Sequence, residues 1–131
     1  MGMRCFVISG ISRTIIEDIL RGHLRTLELR NVINIATALN ARVGDCVVIT
    51  SAKNSDLGRG VTGIISVVEG KEIVSHSTFY ARNDYFEESE MTAVRLRISP
   101  KSVGRIVQVF RKDILSPVEA EVLKIDSFFA R

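Results

Sequence analysis

At 131 residues the chain has the size of one domain, and residues 1–131 are read as a single unit around one core. Hydrophobic residues at 46% and charged residues at 25% exclude a disordered or fibrous chain. Eighteen Lys and Arg against fifteen Asp and Glu leave +3, which admits an anionic partner but is too little for a histone-like binder; with no Trp and 6% aromatics, an extended base-stacking platform is also excluded.

The first segment, MRCFVIS from Met3 to Ser9, is β-branched and aromatic and stops at Gly10, as a buried strand does. SRTIIEDILRG then places Ile15, Ile16, Ile19 and Leu20 on one helical face. Either Thr14 with Glu17 or Ser12 caps this helix, and Gly22 ends it. RTLELRN, from Arg25 to Asn31, alternates with period two: Leu27 and Leu29 face a core, and Thr26, Glu28 and Arg30 share the other side. VINIATALNAR is read as a helical turn over Ile35 to Leu39, VGDCVVITSA as a strand entered through a Gly-Asp turn, and KNSDLGRG as a loop.

VTGIISVVEGKEIVSHSTFYA reads as two strands joined by a turn at Glu69, Gly70 and Lys71. RNDYFEESE is a charged connector, and MTAVRLRIS is a strand with Val94, Leu96 and Ile98 opposed to Arg95 and Arg97. VGRIVQVFRKDI is rich in Val and Ile and is taken as a strand. SPVEAEVLKID offers Ser116 as a cap, Pro117 at a first helical position and Glu119 closing a capping box, so a short C-terminal helix is expected. The sum is one early helix, six or seven short strands and a closing helix: a mainly β, α+β chain folded as a small barrel, whose closure removes exposed edges.

Cys5 and Cys46 each lie in an apolar run and are read as two buried free thiols in a reducing cytosol. There is no CxxC, and His23 and His76 have no partner at ligand spacing, so neither a metal nor a cofactor is expected. No apolar run approaches the ~18 residues of a membrane span, so a soluble cytoplasmic protein is expected. GRGVTG matches G-x-G-x-x-G at Gly58, Gly60 and Gly63. A polar loop precedes it and a strand pattern follows, the reverse of what a dinucleotide site needs. The acidic residues Asp84, Glu87, Glu88 and Glu90 match no calcium loop and read as a solvated connector.

The row Thr26, Glu28 and Arg30 is either a solvated salt-bridge face or the wall of a cleft in which Arg30 offers a planar fork of donors to a phosphate or a base edge. Lys53 and Arg59, on the loop before the glycines, would extend a basic footprint, as would Arg95 and Arg97 on their strand and Lys101, Arg105, Arg111 and Lys112 after them.

DILRGHLRTLELRN, followed by VGDCVVIT, resembles the signature of the PUA-like superfamily, in particular its ASCH branch: helix, glycine, basic residue, Thr, a strand ending in Arg, then Gly-Asp opening the next strand. GRGVTGIISVV is similar to the glycine-bounded strand that follows in such domains, and the whole chain also resembles an uncharacterised family of archaeal proteins. The resemblance implies a pseudo-barrel with a helix beside its mouth and a cleft that binds RNA or a modified base. Some ASCH domains are amidases with a catalytic Lys before the Thr and a second Thr two positions after it. This chain has Arg25 and Glu28 there and one extra residue after Gly22, and Arg does not readily lose its proton, so binding is expected ahead of catalysis and no catalytic residue is assigned. The expected site is Arg25, Thr26, Glu28, Arg30 and Asn31, with Lys53 and Arg59 beside it. Two other functions stay open: a small hydrolase of modified nucleosides with Glu28 as base, and a structural or oligomerisation module in which Phe128 and Phe129 form a homodimer contact.

Overall fold

The computed structural model describes residues 2–82, 85–113 and 116–127, with the backbone alone at 76–82, 85–91 and 126–127. It is mainly β, with two helices. In chain order the elements are β1 (Met3–Ile8), α1 (Arg13–Leu20), β2 (Thr26–Leu29), α2 (Val32–Asn40), β3 (Cys46–Ile49), β4 (Thr62–Arg82), β5 (Tyr85–Phe110) and β6 (Glu119–Ser127), with a single 3-10 turn at Asn54–Asp56. The sheet order is β2-β5-β4-β3-β1-β6, and β6 pairs back onto β5. Five strands thus form a partly closed ring, and β2 lies outside it on the N-terminal half of β5.

Alternation along the strands divides the apolar residues between two cores. Cys5, Val7, Val48, Ile65, Ile106, Ala120 and Val122 fill the ring. The opposite faces of the same strands, through Ile8, Val47, Ile49 and Ile64, meet Ile19 of α1, Ala38 of α2 and the inward residues of β2 and β5. The ring is narrow. A Cβ at Gly104 would stand 2.5 Å from Ile65 Cδ1 and 2.6 Å from Val122 Cγ1, so a side chain there has no room.

Ser12, not Thr14, caps α1 by accepting from the Ile15 amide, and Gly22 follows the helix at φ 78°, the left-handed conformation that ends it. The turn expected at Ile35–Leu39 is part of a longer helix, capped by Asn31, whose side chain accepts from the Ile33 and Asn34 amides. Buried Asn34 then treats Ser9 as a strand would: its Oδ1 accepts from the Ser9 amide at 3.1 Å and its Nδ2 donates to the Ser9 carbonyl at 2.9 Å. Those two bonds pin α2 to the end of β1.

Four expectations are corrected. The C-terminal segment is a strand, β6, not a helix: Val118, Ala120 and Val122 are buried at alternate positions, and pairing with both β1 and β5 outweighs a local helix cap. Gly70 is not a hairpin turn. β4 runs straight through it, and a register shift between Val68 and Gly70 leaves Glu69 as the extra residue of a bulge. The charged connector is in part strand, since residues 85–90 pair with β4, while Asp84 and the side chains of Glu87, Glu88 and Glu90 lie outside what is described. Finally, Cys5 and Cys46 are not free thiols. They form a disulfide with Cα atoms 4.7 Å apart, because β1 and β3 are parallel neighbours in the register that pairs Phe6 with Val47. The inference of a reducing compartment from two free thiols falls with them. Phe128 and Phe129 also lie outside the described residues.

Candidate functional site

Leu27 and Leu29 are 3% and 2% exposed, so Thr26, Glu28 and Arg30 do share the outer face of β2. The register with β5 decides what they meet: Thr26 lies opposite Arg97 and Glu28 opposite Arg95. On its other side β5 pairs Arg97 with Gly70 and Arg95 with Glu72 of β4. Two rows therefore cross three strands, Thr26–Arg97–Gly70 and Glu28–Arg95–Glu72.

Glu28 is the hub. Arg30 donates to its Oε2 from Nη2 at 2.6 Å and from Nε at 3.1 Å, and Arg95 Nε donates to Oε1 at 3.3 Å. All three side chains stay accessible, at 32% for Glu28, 58% for Arg30 and 46% for Arg95. The Arg30 guanidinium, and then that of Arg95, hold the Glu28 carboxyl below the usual carboxylate range. A carboxylate so stabilised is a poor general base at neutral pH and a good orienting group for its two guanidiniums.

Beside this hub is a hollow of about 270 Å³ lined by Thr26, Gly70, Lys71, Glu72, Arg95 and Arg97. The Arg97 side chain makes no hydrogen bond or ion pair among the described residues, and its guanidinium lies across Gly70, with Nη2 3.4 Å from where a Cβ would be. Lys71, by contrast, is committed. Its Nζ donates to the carbonyls of Ala38 at 3.3 Å, Leu39 at 2.8 Å and Ala41 at 2.7 Å, closing the C-terminal end of α2, where unpaired carbonyls and the helix dipole favour a cation.

The expected site is thus only partly assembled. Thr26, Glu28 and Arg30 come together. Arg25 stands exposed just before β2, its carbonyl accepting from the amide of Ile98, and its side chain makes no hydrogen bond or ion pair with the Glu28 hub among the described residues. Asn31 spends its side chain on the α2 cap. Lys53 lines a different hollow of about 650 Å³, with Arg13, Thr50 and Asp56, at the start of β4. Ten residues of β4 separate Thr62 there from Glu72 at the hub, roughly 30 Å of strand. Arg59 is exposed on the adjoining loop, where Gly60 takes φ 97° to turn the chain and the strand that follows excludes the dinucleotide geometry. Arg95 and Arg97 are the residues that sequence reasoning left at the margin. The signal for them was present: TLEL and VRLR are complementary when run antiparallel, and that pairing joins Glu28 to Arg95.

Among the described residues no His, Cys, Asp and Glu side chains gather in threes around a metal position, and no helix is long and apolar enough to cross a membrane. The family described as "Protein of unknown function (DUF473)" matches residues 3–120. The chain belongs to that family. An uncharacterised protein of Methanocaldococcus jannaschii is 29% identical over 106 residues, which are 81% of this chain and 66%, just under two thirds, of that relative. No solved structure matches the chain. The family match runs from β1 to the first residues of β6, so it takes in all three strands of the arginine rows and both cysteines.

Proposed function

We propose that this DUF473 protein is a PUA-like module of the ASCH kind that binds RNA or a nucleotide-like anion on the outer face of β2 and β5. The observation that carries the reading is the contrast between Glu28 and Arg97. One carboxylate fixes two guanidiniums, Arg30 and Arg95, while Arg97 next to them has no polar partner among the described residues and borders a hollow with the Thr26 hydroxyl. A phosphate placed there meets the unpaired fork of Arg97 and the fork of Arg95 that Glu28 orients. The partly closed ring, the helix between β1 and β2, and the Gly22, Thr26, Arg30 pattern support the PUA-like part of the reading. The hydrolase alternative is weaker, because Glu28 would have to act as a base while two guanidiniums stabilise its charge. Turnover of modified nucleosides by wild type and not by Glu28→Gln would reverse that ranking.

Titration of a labelled single-stranded RNA against wild type, Arg97→Ala and Arg30→Ala tests the binding reading. Arg97→Ala is expected to weaken affinity about tenfold and to lower the salt slope by about one. Equal affinity in all three folded proteins removes the proposal.

A further inference from the structure

A third hollow, of about 650 Å³, opens far from the arginine rows, on the outside of the ring where β1, β6 and the C-terminal end of β5 run side by side. Its volume falls within the range of small-molecule pockets. The register explains its floor. Phe6 of β1 lies opposite Glu119 of β6, and Glu119 opposite Phe110 of β5, so the three side chains form one row on the outer face. Arg4, two residues before Phe6 on the same face, reaches into that row. Its guanidinium carbon stands 4.3 Å from the centroid of the Phe110 ring. Its Nε and Nη2 donate to the two Glu119 oxygens at 3.2 and 3.3 Å.

That geometry fixes the plane of the guanidinium. One face rests on Phe110 and one edge is held by a carboxylate, yet the Arg4 side chain remains 58% exposed. A guanidinium held flat with an open face is a stacking platform for a second planar ring, and nucleobases use such platforms. Arg4 and Glu119 neutralise one another, so the charge of the hollow is set by Arg111 and Lys112 at its rim. Arg111 is anchored, its Nη2 donating to the Asn54 carbonyl at 3.2 Å, and Lys112 is exposed with no polar partner among the described residues.

We propose that this hollow is a binding site for a heteroaromatic ring that carries a phosphate: the ring stacks on Arg4 over Phe110, and the phosphate meets Arg111 and Lys112. The site is independent of the RNA-binding reading, since Phe110 lies 13 residues beyond Arg97 along β5 and the two hollows share no residue.

Calorimetric titration of the intact chain with adenosine monophosphate, adenosine and inorganic phosphate tests it. The monophosphate is expected to bind at least tenfold more tightly than either part alone, because both halves of the site are then used. Lys112→Ala should weaken the monophosphate about tenfold and leave adenosine unchanged. Arg4→Lys, which keeps the charge and the Glu119 pair but loses the plane, should weaken adenosine and the monophosphate together. Arg97→Ala should leave intact the part of monophosphate binding that Lys112→Ala and Arg4→Lys weaken. Failure of the monophosphate to bind saturably, or binding no tighter than that of phosphate, overturns the proposal. Monophosphate binding lost in Arg97→Ala and kept in Lys112→Ala and Arg4→Lys also overturns it, and moves the nucleotide to the β2–β5 face.

Discussion

The ring interior and the outer face of β2 and β5 share one long strand, β5, and obey opposite rules. Inside, Cys5, Gly104, Ala120 and Val122 are small because the interior is narrow, the side chains of Ile65 and Val122 on the two strands that flank β5 already filling the space beside Gly104, and the only covalent cross-link of the described residues, Cys5–Cys46, joins two of its staves. Outside, Arg30, Arg95 and Arg97 are long, charged and half-exposed, and none of them packs in either core. The interior leaves no freedom of substitution, whereas the exterior leaves almost all of it. A run of guanidiniums that is not needed for stability is where binding chemistry is best sought.

Removing the disulfide breaks this contrast most severely. The bond closes a loop with a sequence separation of 41, and chain-entropy arguments put its contribution at about 4 kcal/mol. Urea unfolding of a Cys5→Ser, Cys46→Ser variant should show a loss of that order. RNA affinity at a temperature where both proteins are folded should stay the same, and a matching loss of affinity would mean that the two regions are coupled.

Next in size is Gly104→Ala. A methyl group there meets Ile65 and Val122 well inside contact distance, so the ring must shift, at a cost of about 2 kcal/mol. A variant as stable as wild type would show that the ring is wider than these distances state.

A smaller effect of opposite sign is expected at Ser66. The residue is fully buried and its hydroxyl has no hydrogen-bond partner among the described residues, on the strand face that carries Ile64 and Val68. Ser66→Ala removes an unsatisfied group and changes little volume, so the folded state should gain about 1 kcal/mol. Destabilisation would mean that the hydroxyl is satisfied, for instance by a buried water.

What the sequence disclosed follows from the range over which each feature is decided. β2 was legible because alternation of Leu27 and Leu29 with Thr26, Glu28 and Arg30 is local. The start and stop of α1 were legible because a cap and a glycine act within one turn. β6 was misread because Ser116, Pro117 and Glu119 satisfy a helix-start pattern locally, while the strand depends on pairing with β1, more than a hundred residues away. Separation along the chain also hid the disulfide, whose condition is that β1 and β3 be neighbours, and the Phe110–Arg4–Glu119 stack, which draws on three strands. Gly70 was misread for a different reason. Glu-Gly-Lys fits a tight turn and a bulge equally well, and only the length of the paired partner, β5, selects the bulge.

The smallest predicted effect bears most directly on what the outer face is for. Glu28 has its carboxyl lowered by Arg30 and Arg95, so the folded state binds its proton less readily than the unfolded chain does. Stability from this group is therefore fully present above the unfolded value of about 4.3 and is lost as pH falls from there through the lower folded value. The difference in melting temperature between wild type and Glu28→Gln should be flat from pH 7 to about 5 and shrink only below about pH 4. It should also be small and shrink in high salt, because the group is accessible to solvent. RNA affinity should respond more than stability does, since Glu28→Gln would release Arg30 and Arg95 from their fixed orientation without removing either guanidinium. A variant that binds RNA as tightly as wild type while showing the expected melting profile would mean that the carboxylate balances charge on this face and does not aim it. In that case Arg97, which rests on Gly70 without its help, would be left as the residue that recognises the anion.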